Sequence, residues 1–401
     1  MNKKTVRDVD VRGKRCLVRV DVNVPMNPGA REISDDSRIR AVLPTIRYLS
    51  EHDSVVILCA HFDRPKGKVV EEMRLAPVRK RLSELLEIEV VDAGGPSGPE
   101  PVAVVERLAP GQVALLENLR FDPGEEANDP EFARSLASLA DIYVDDAFGA
   151  AHRVHASVVG VADHLPAVAG FLMQKELEML GRVVDDVTHP AVAVIGGAKV
   201  ADKIQVLVNL SERVDTVLIG GGMVAAFLRA QGYGSGSADI SKDEVSAAKG
   251  LLDRKETRMM IPQDVIVAKS FSADTDSATV PADAVPDDAL VLDIGPITQD
   301  TYANEIGSAR TVIWNGPMGV YEWDQFASGT RSVANAIAEN RDAVTVVGGG
   351  STAEAIDSLG LRDKVTHVST GGGASLEFLE GKVLPGVAAL DDIDNNRAGE
   401  Q

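Results

Sequence analysis

The chain has 401 residues, too many for one ordinary hydrophobic core, so about two or three domains are expected and two is the starting reading. Hydrophobic residues make up 44% and charged residues 25%, the balance of a globular chain rather than a disordered one. Asp and Glu number 61 against 41 Lys and Arg, a net charge of -20, which argues against nucleic acid and anionic membrane as partners.

The N-terminal MNKKTVRDVDVRGKR is charged with no apolar core behind it. No stretch approaches the ~18 consecutive apolar residues of a membrane span, so neither export nor insertion is expected. Strands are expected at CLVRVDV, SVVILCA, IEVVD, QVALLE, DIYVDD and SVVGV, with helices at DSRIRAVLPTIRYLSEH and RLAPVRKRLSELLE between them. Cys16 and Cys59 lie inside two of these apolar runs and read as buried, reduced thiols of a cytoplasmic protein rather than as a disulfide or a metal site. Next comes AVAGFLMQKELEMLGRVVDD, where Phe171, Leu172, Leu177, Leu180 and Val184 make a helical stripe interrupted by Gly181. It reads as a helix joining two sheets. A second series of strands is expected at AVAVIGG, TVLIGGG, MMIPQDVIV, LVLDIG, TVIWNG, AVTVVGGG and THVSTGGG. The alternation predicts an α/β protein with parallel sheets, and the lack of a fixed period excludes a solenoid. The end of LPGVAALDDIDNNRAGEQ turns acidic and is expected to fray.

In open parallel sheets ligands bind at the carboxyl ends of strands, where loops converge on helix N-termini. In the first half those ends carry Asp21 and Asn23, His61 and Arg64, Arg120, and His152, Arg153 and His155, while Arg38 opens the helix after the first strand. Any one of these arginines alone would be read as a solvated or paired surface residue. Together, in an acidic protein, they describe a pocket for a small anion. The histidines have no zinc-like spacing and are assigned no metal. In the second half the ends carry IGGAK, IGGGM, DIGP, NGPMG, GGGST and STGGG, where glycines let phosphate oxygens approach backbone N–H groups. None matches the Walker pattern, and one glycine pair is ordinarily just a tight turn. Lys199 and Lys203 are expected at i and i+4 on the helix that follows VIGG, sharing a face that grips phosphate; the bland alternative is two lysines lying along a surface helix. Trp314 and Trp323 read as packing residues.

RVDVNVP, LENLRF, AHRVHAS, GGAKVADKI, WNGPMGVYE and VSTGGGASLEFLEGKVLPG, in this order over nearly the whole chain, resemble the phosphoglycerate kinase family. The resemblance implies two Rossmann-like three-layer domains with mainly parallel sheets, facing across a cleft and joined by a helix. The implied division is a phosphoglycerate-binding domain at 1–168, a connecting helix and hinge at 169–186, a nucleotide-binding domain at 187–378, and a segment at 379–401 returning to the first domain. It implies reversible transfer of the acyl phosphate of 1,3-bisphosphoglycerate to ADP, giving 3-phosphoglycerate and ATP in glycolysis. Carried over by resemblance, Asp21, Asn23, Arg38, His61, Arg64, Arg120 and Arg153 hold the phosphoglycerate. Gly197, Lys199, Lys203, Gly221, Gly295, Asn315, Pro317, Glu322, Gly348, Gly349, Gly350, Ser351 and Thr352 hold the nucleotide, with Glu322 at the ribose. Arg38, Lys199 and Gly372 serve the phosphoryl group in flight. Attacking and leaving oxygens are both already anionic, so no general base is needed.

Two departures qualify the carry-over. Where the family commonly has GGGDT, whose aspartate binds the nucleotide's Mg2+, this chain has GGGST, so the metal ligand is left open. Where the family has HLGRP, this chain has HFDRP, which puts Asp63 beside an anionic substrate. The rival readings are a nicotinamide-dependent dehydrogenase, disfavoured because neither VRVDVNVP nor VIGGAKVADK contains Gly-x-Gly-x-x-Gly, and a non-catalytic nucleotide-binding protein, disfavoured by the presence of Arg38 and Lys199. A monomer is expected. The acidic excess, with arginines outnumbering lysines, also raises the hypothesis of a cytoplasm of high salt.

Overall fold

A computed structural model describes residues 2–27, 29 and 32–393, and the chain divides into two compact units. One unit comprises Met1–Glu178 with Val383–Gln401, the other Met179–Lys382.

The first unit is built on β1 (Arg15–Val20), β2 (Val55–Cys59), β3 (Val90–Asp92), β4 (Val113–Leu115), β5 (Ile142–Asp146) and β6 (Ala167–Ala169). They form one parallel sheet in the order β3-β4-β2-β1-β5-β6. β2 and β5 are buried along their whole length, as expected of strands covered on both faces. Cys16 is paired with both Val56 and Ile142, placing β1 at the centre. From β1 the chain winds outward through β2, then returns to β5 on the other side, so the topological switch point lies between the carboxyl ends of β1 and β5. Helices Ser37–Glu51 and Ala76–Leu86 bury Ile39, Val42, Ile46, Leu49, Val78 and Leu82 against the sheet's core.

The sixth strand is not where SVVGV suggested. Residues 157–159 form turns and Gly160–Asp163 a short 3-10 helix, because Ser157 is taken up by Glu125 and Val158 packs on Ala147 and Ala150 in a separate small cluster. The edge position goes to Ala167–Ala169, too short and alanine-rich to announce itself as a strand. The C-terminal segment belongs to this unit: Asp391 N donates to Ala167 O at 2.8 Å, Gly386 N to Ala151 O at 2.8 Å, and Asp392 is bridged to Lys3. The end of the tail, where fraying was expected, lies outside the described residues.

In the second unit β7 (Ala191–Ile195), β8 (Thr216–Ile219), β9 (Arg258–Met260), β10 (Asp264–Ala268), β11 (Ser277–Pro281), β12 (Leu290–Ile294), β13 (Thr311–Asn315), β14 (Val344–Gly348) and β15 (His367–Val368) divide between two sheets. Six form a parallel sheet in the order β15-β14-β13-β7-β8-β9, and three an antiparallel sheet in the order β11-β10-β12. The run MMIPQDVIV is therefore two strands. Pro262 has no N–H to continue a ladder, so the chain leaves the parallel sheet there and Asp264–Ala268 pairs elsewhere. LVLDIG, expected in the parallel series, is β12 of the small sheet. β11 was not expected at all, since SATVP is exposed over most of its length and carries little apolar signal. The switch point of the parallel sheet falls between β7 and β13.

The expected joining helix runs from Phe171 to Val184, its first residues in one unit and its last in the other. Its start is capped from outside the helix: Asp146 Oδ1 accepts from Leu172 N at 2.8 Å and Met173 N at 3.2 Å, and Thr45 Oγ1 from Phe171 N at 2.9 Å. Its buried apolar residues are Met173, Leu177, Leu180, Val183 and Val184, with Phe171 and Leu172 partly covered by the first core, and Glu176 is buried among them. Cys16 and Cys59 are free and buried, and burial pushes their thiols up to about 11 and about 12.

Candidate active site

At the switch point of the first unit, Asp21 follows β1 and is buried; Arg38 Nη1 donates to its Oδ2 at 2.6 Å. The other oxygen, Oδ1, accepts from Asn23 N at 3.2 Å, and Asn23 Oδ1 accepts from Asp63 N at 3.0 Å. Asp21 and Asn23 thus aim Arg38 and anchor the 61–65 loop. Arg120 is 2% exposed, donates from Nη1 to the Asp63 carbonyl at 2.7 Å, and has Glu126 Oε1 at 3.1 Å from Nε. Burial is the main reason its pKa falls below the usual arginine value, with Arg153 and Arg19 adding to the effect.

Two residues the sequence did not single out hold this cluster. Asn118, fully buried, accepts from Phe62 N and Arg120 N at 3.1 Å and donates to Phe62 O at 2.8 Å, clamping one loop to the other. Arg19, 1% exposed, donates from Nε to Ser157 Oγ and from Nη2 to His61 Nδ1, both at 2.9 Å. An arginine only donates, so His61 Nδ1 is the acceptor and its proton sits on Nε2. Burial first, then Arg19, Arg120, Arg153 and His155, hold the His61 imidazole well below its ordinary pKa. Burial and the same three arginines lower His155 to about 4. The pocket's positive charge is therefore arginine charge, and the two imidazoles serve as neutral partners. Arg19 carries no signal in the sequence, since a strand-interior arginine alternating with valine reads as an outward-facing residue. Arg153 is half-buried among these groups and Arg64 is exposed on the loop after His61. Asp63 is exposed with φ +52°, which explains a glycine at the corresponding place of the family pattern: L residues strain there, Asp and Asn least.

In the second unit three glycine turns at strand ends meet backbone to backbone. A Cβ on Gly196 would stand 2.0 Å from Pro317 O, one on Gly316 2.2 Å from Gly196 O, and one on Gly221 2.5 Å from Gly197 O. Packing alone requires these glycines. Gly295 is likewise accounted for by the Asp264 carboxylate, which accepts from Ile297 N and Thr298 N. Gly350 and Gly372 differ: nothing lies within 4 Å of a Cβ built on either. Gly350 opens the helix Gly350–Ser358, whose end has no side-chain cap.

Lys199 and Lys203 do not share a helix face. Lys203 has φ -124° and ψ 0°, outside the helical region, so the helix starts only at Ile204; Lys199 stands before the single 3-10 turn Ala201–Lys203 and is exposed. Lys203 is half-buried, donates to Asn315 Oδ1, and has its pKa lowered by burial. Asn315 is 1% exposed, and its Nδ2 has no hydrogen-bond partner among the described residues; it faces the glycine loop at the end of β14, 3.1 Å from where a Gly348 Cβ would be. Thr352, fully buried, accepts from Gly316 N at 2.8 Å and ties that loop to the turn after β13. Pro317 is half-buried beside this turn and Glu322 is exposed. Trp314 is buried and donates to Gly316 O, while Trp323 packs on Phe271 and Phe326, so both are packing residues.

Among the described residues no group of three or more His, Cys, Asp or Glu could hold a metal. The donor set after β14 nonetheless suits magnesium, which takes one or two carboxylates together with substrate phosphates. Tyr321 Oη donates to Glu354 Oε2 at 2.9 Å. Burial, Glu354 and Glu322 push this phenol up to about 12. Tyr321 and Glu354 thus form an oxygen pair, and Glu354 lies on the helix whose first turn carries Ser351. Glu354 was not a sequence candidate; its only signal was its position three residues after Ser351.

Comparison with known proteins adds an independent line. The sequence profile described as phosphoglycerate kinase matches residues 6–382. Curated phosphoglycerate kinases from Moorella thermoacetica and Herpetosiphon aurantiacus are each 54% identical over 395 residues, covering 98% of this chain and all of theirs. The solved structure of phosphoglycerate kinase from Coxiella burnetii is 40% identical and superposes with a TM-score of 0.88, covering 96% of this chain and 98% of that one.

Proposed function

The chain belongs to the phosphoglycerate kinase family, and from that premise we propose how its strand ends divide the work of the reaction. The reaction is reversible phosphoryl transfer from 1,3-bisphosphoglycerate to ADP, giving 3-phosphoglycerate and ATP, a phosphotransferase step of glycolysis with a carboxyl group as acceptor. The observation that carries the division is the cluster of Arg19, Arg120 and Arg153 around neutral His61 and His155, with Arg38 held by Asp21 after β1 of the same sheet, set against glycine turns beside Lys203 and Asn315 in the other unit.

In this reading 3-phosphoglycerate is held in the first unit. Arg38, fixed by Asp21, presents its remaining N–H groups to the anion, Arg64, Arg120 and Arg153 supply further charge, and His61 donates from Nε2. The nucleotide is held in the second unit by the 348–352 loop, Lys203 and Asn315, with Gly372 N–H and Lys199 serving the transferred group and Glu322 the ribose. Magnesium bound with the nucleotide would neutralise charge on its phosphate oxygens, held by an oxygen ligand from the helix after β14. No residue has to abstract a proton. The work left to the protein is positioning and neutralisation, which are the contributions of preorganised donors. The helix Phe171–Val184, whose residues belong partly to each unit, is the candidate hinge. We further infer a monomer working in the cytoplasm; no helix among the described residues is long and apolar enough to cross a membrane.

The test is ADP formation from ATP with and without 3-phosphoglycerate, with Lys199→Met alongside. ADP release that ignores 3-phosphoglycerate overturns the reading, and hydride exchange with NAD would favour the dehydrogenase. Lys199→Met is expected to lower kcat by about a hundredfold or more, the loss of one transition-state charge of roughly 3 kcal/mol, with a smaller change in nucleotide affinity. Unchanged kcat would make Lys199 a surface residue, in keeping with its exposure.

A further inference from the structure

Residue 351 is a serine where the family pattern carries the metal-binding aspartate, and a neutral hydroxyl is a weak ligand for a hard divalent cation. The next carboxylate along the same helix is Glu354. At i and i+3 it shares a face with Ser351, and helical side chains lean toward the N-terminus, which brings Glu354 back over the first turn. It is exposed and is held from the side by the Tyr321 hydroxyl at 2.9 Å, a bond that engages Oε2 and leaves Oε1 for a cation. A separate observation points to an anion at this loop. Asn315 Nδ2 is a buried donor with no acceptor among the described residues, 3.1 Å and 3.5 Å from where Cβ atoms of Gly348 and Gly349 would stand. A bare buried amide facing a glycine loop is matched by a phosphate oxygen, and the magnesium that travels with a nucleotide binds to such oxygens.

We propose that Glu354, oriented by the Tyr321 hydroxyl, is the protein carboxylate for the nucleotide's magnesium, taking the place of residue 351. The assignment rests on the glycine loops being the nucleotide site. Ser351 then leaves the metal to Glu354. The carboxylate has moved one helical turn along, and a phenol on a neighbouring loop fixes a side chain that is longer and looser than aspartate.

The experiment is calorimetric titration of the full chain with ADP, once with magnesium and once with metal chelated, accompanied by electron paramagnetic resonance of Mn2+ in its place. Wild type is expected to bind ADP more tightly with magnesium. Glu354→Gln should abolish that difference and release the Mn2+ signal while leaving metal-free ADP affinity intact. Ser351→Ala should keep the difference, Tyr321→Phe should reduce it, and adding Ser351→Asp to Glu354→Gln should restore it. A wild-type metal effect in Glu354→Gln, or its loss in Ser351→Ala, overturns the assignment. Asn315→Ala tests the site beneath it: metal-free ADP affinity equal to wild type would place the nucleotide elsewhere and overturn the assignment with it.

Discussion

Asp63 combines a backbone strain and a charge that can be separated. Its φ of +52° is a left-handed conformation, and its carboxylate stands in a loop whose neighbours, His61 and Arg64, are assigned to an anion. Its N–H and C=O are both occupied, by Asn23 and Arg120, so the loop shape is held by the backbone and does not depend on the Asp63 side chain. Asp63→Gly and Asp63→Ala both remove the charge, and both are expected to lower KM for 3-phosphoglycerate. Only alanine should lower the unfolding midpoint, by about 1 kcal/mol of left-handed strain, since glycine adopts this φ freely. Unchanged KM in both variants would show that the carboxylate has no influence on the substrate. The neighbouring His61 carries a further lesson of this scale. Its presence was legible as a histidine at a strand end, whereas its tautomer follows from Arg19, a contact between residues 42 positions apart.

The glycine turns are one sequence signal with two physical causes, and a pair of variants tells them apart. Gly316→Ala puts a Cβ 2.2 Å from a carbonyl oxygen at φ +100° and is expected to cost more than about 3 kcal/mol in thermal or urea unfolding. Gly350→Ala meets nothing within 4 Å and sits at the start of a helix, so stability should hold or rise by up to about 1 kcal/mol. ADP affinity should nevertheless fall, because the added methyl occupies the approach to the loop. A Gly350→Ala variant with wild-type ADP affinity would remove Gly350 from the nucleotide site. Strands were legible where their runs were long and apolar, as at Val55–Cys59 and Ile142–Asp146. They were misread where a run of the right composition was claimed by other partners: Val158 by Ala147 and Ala150, Asp264–Ala268 by an antiparallel neighbour beyond Pro262.

Two predictions belong to the molecule as a whole. Burial pushes Asp145 up to about 7 and Asp146 and Asp293 up to about 6, so the folded chain keeps protons that the unfolded chain gives up near pH 4. The unfolded state then binds fewer protons across that window, and these groups withdraw stability as pH rises through about 6 to 7. His61 and His155 act in the opposite sense, withdrawing stability as pH falls below about 6.5, so the contributions offset one another in the acid range. Near neutral pH Asp145 stands alone. Asp145→Asn keeps an acceptor for Ala147 N, and its unfolding midpoint is expected to decline less than wild type between about pH 6 and pH 8; parallel curves would show that Asp145 titrates as an ordinary carboxyl. The second prediction concerns salt. A net charge of -20 repels itself, and surface ion pairs such as Arg15 with Asp141 or Arg362 with Asp357 each return little. The unfolding midpoint is expected to rise from low to molar KCl, as the Debye length shortens from roughly 10 Å to 3 Å, while KM for 3-phosphoglycerate rises because the arginine pocket is screened as well. A flat midpoint would leave an acidic enzyme without salt adaptation.

The sequence by itself marked the loops that gather basic residues and glycines, because such residues at the carboxyl ends of apolar runs are local patterns that survive without neighbours. It determined the family as well, through motifs spread over nearly the whole chain. Tertiary structure alone decided three matters, each a contact between residues far apart in the chain. It assigned Asp21 and Asn23 to holding Arg38 and the Asp63 loop, through hydrogen bonds that link β1 to the segments after it. It divided the glycines into those a neighbouring carbonyl requires and those that face open space. It also brought Tyr321 to Glu354, 33 positions on, since a helical face fixes where Glu354 lies but only packing fixes what stands beside it.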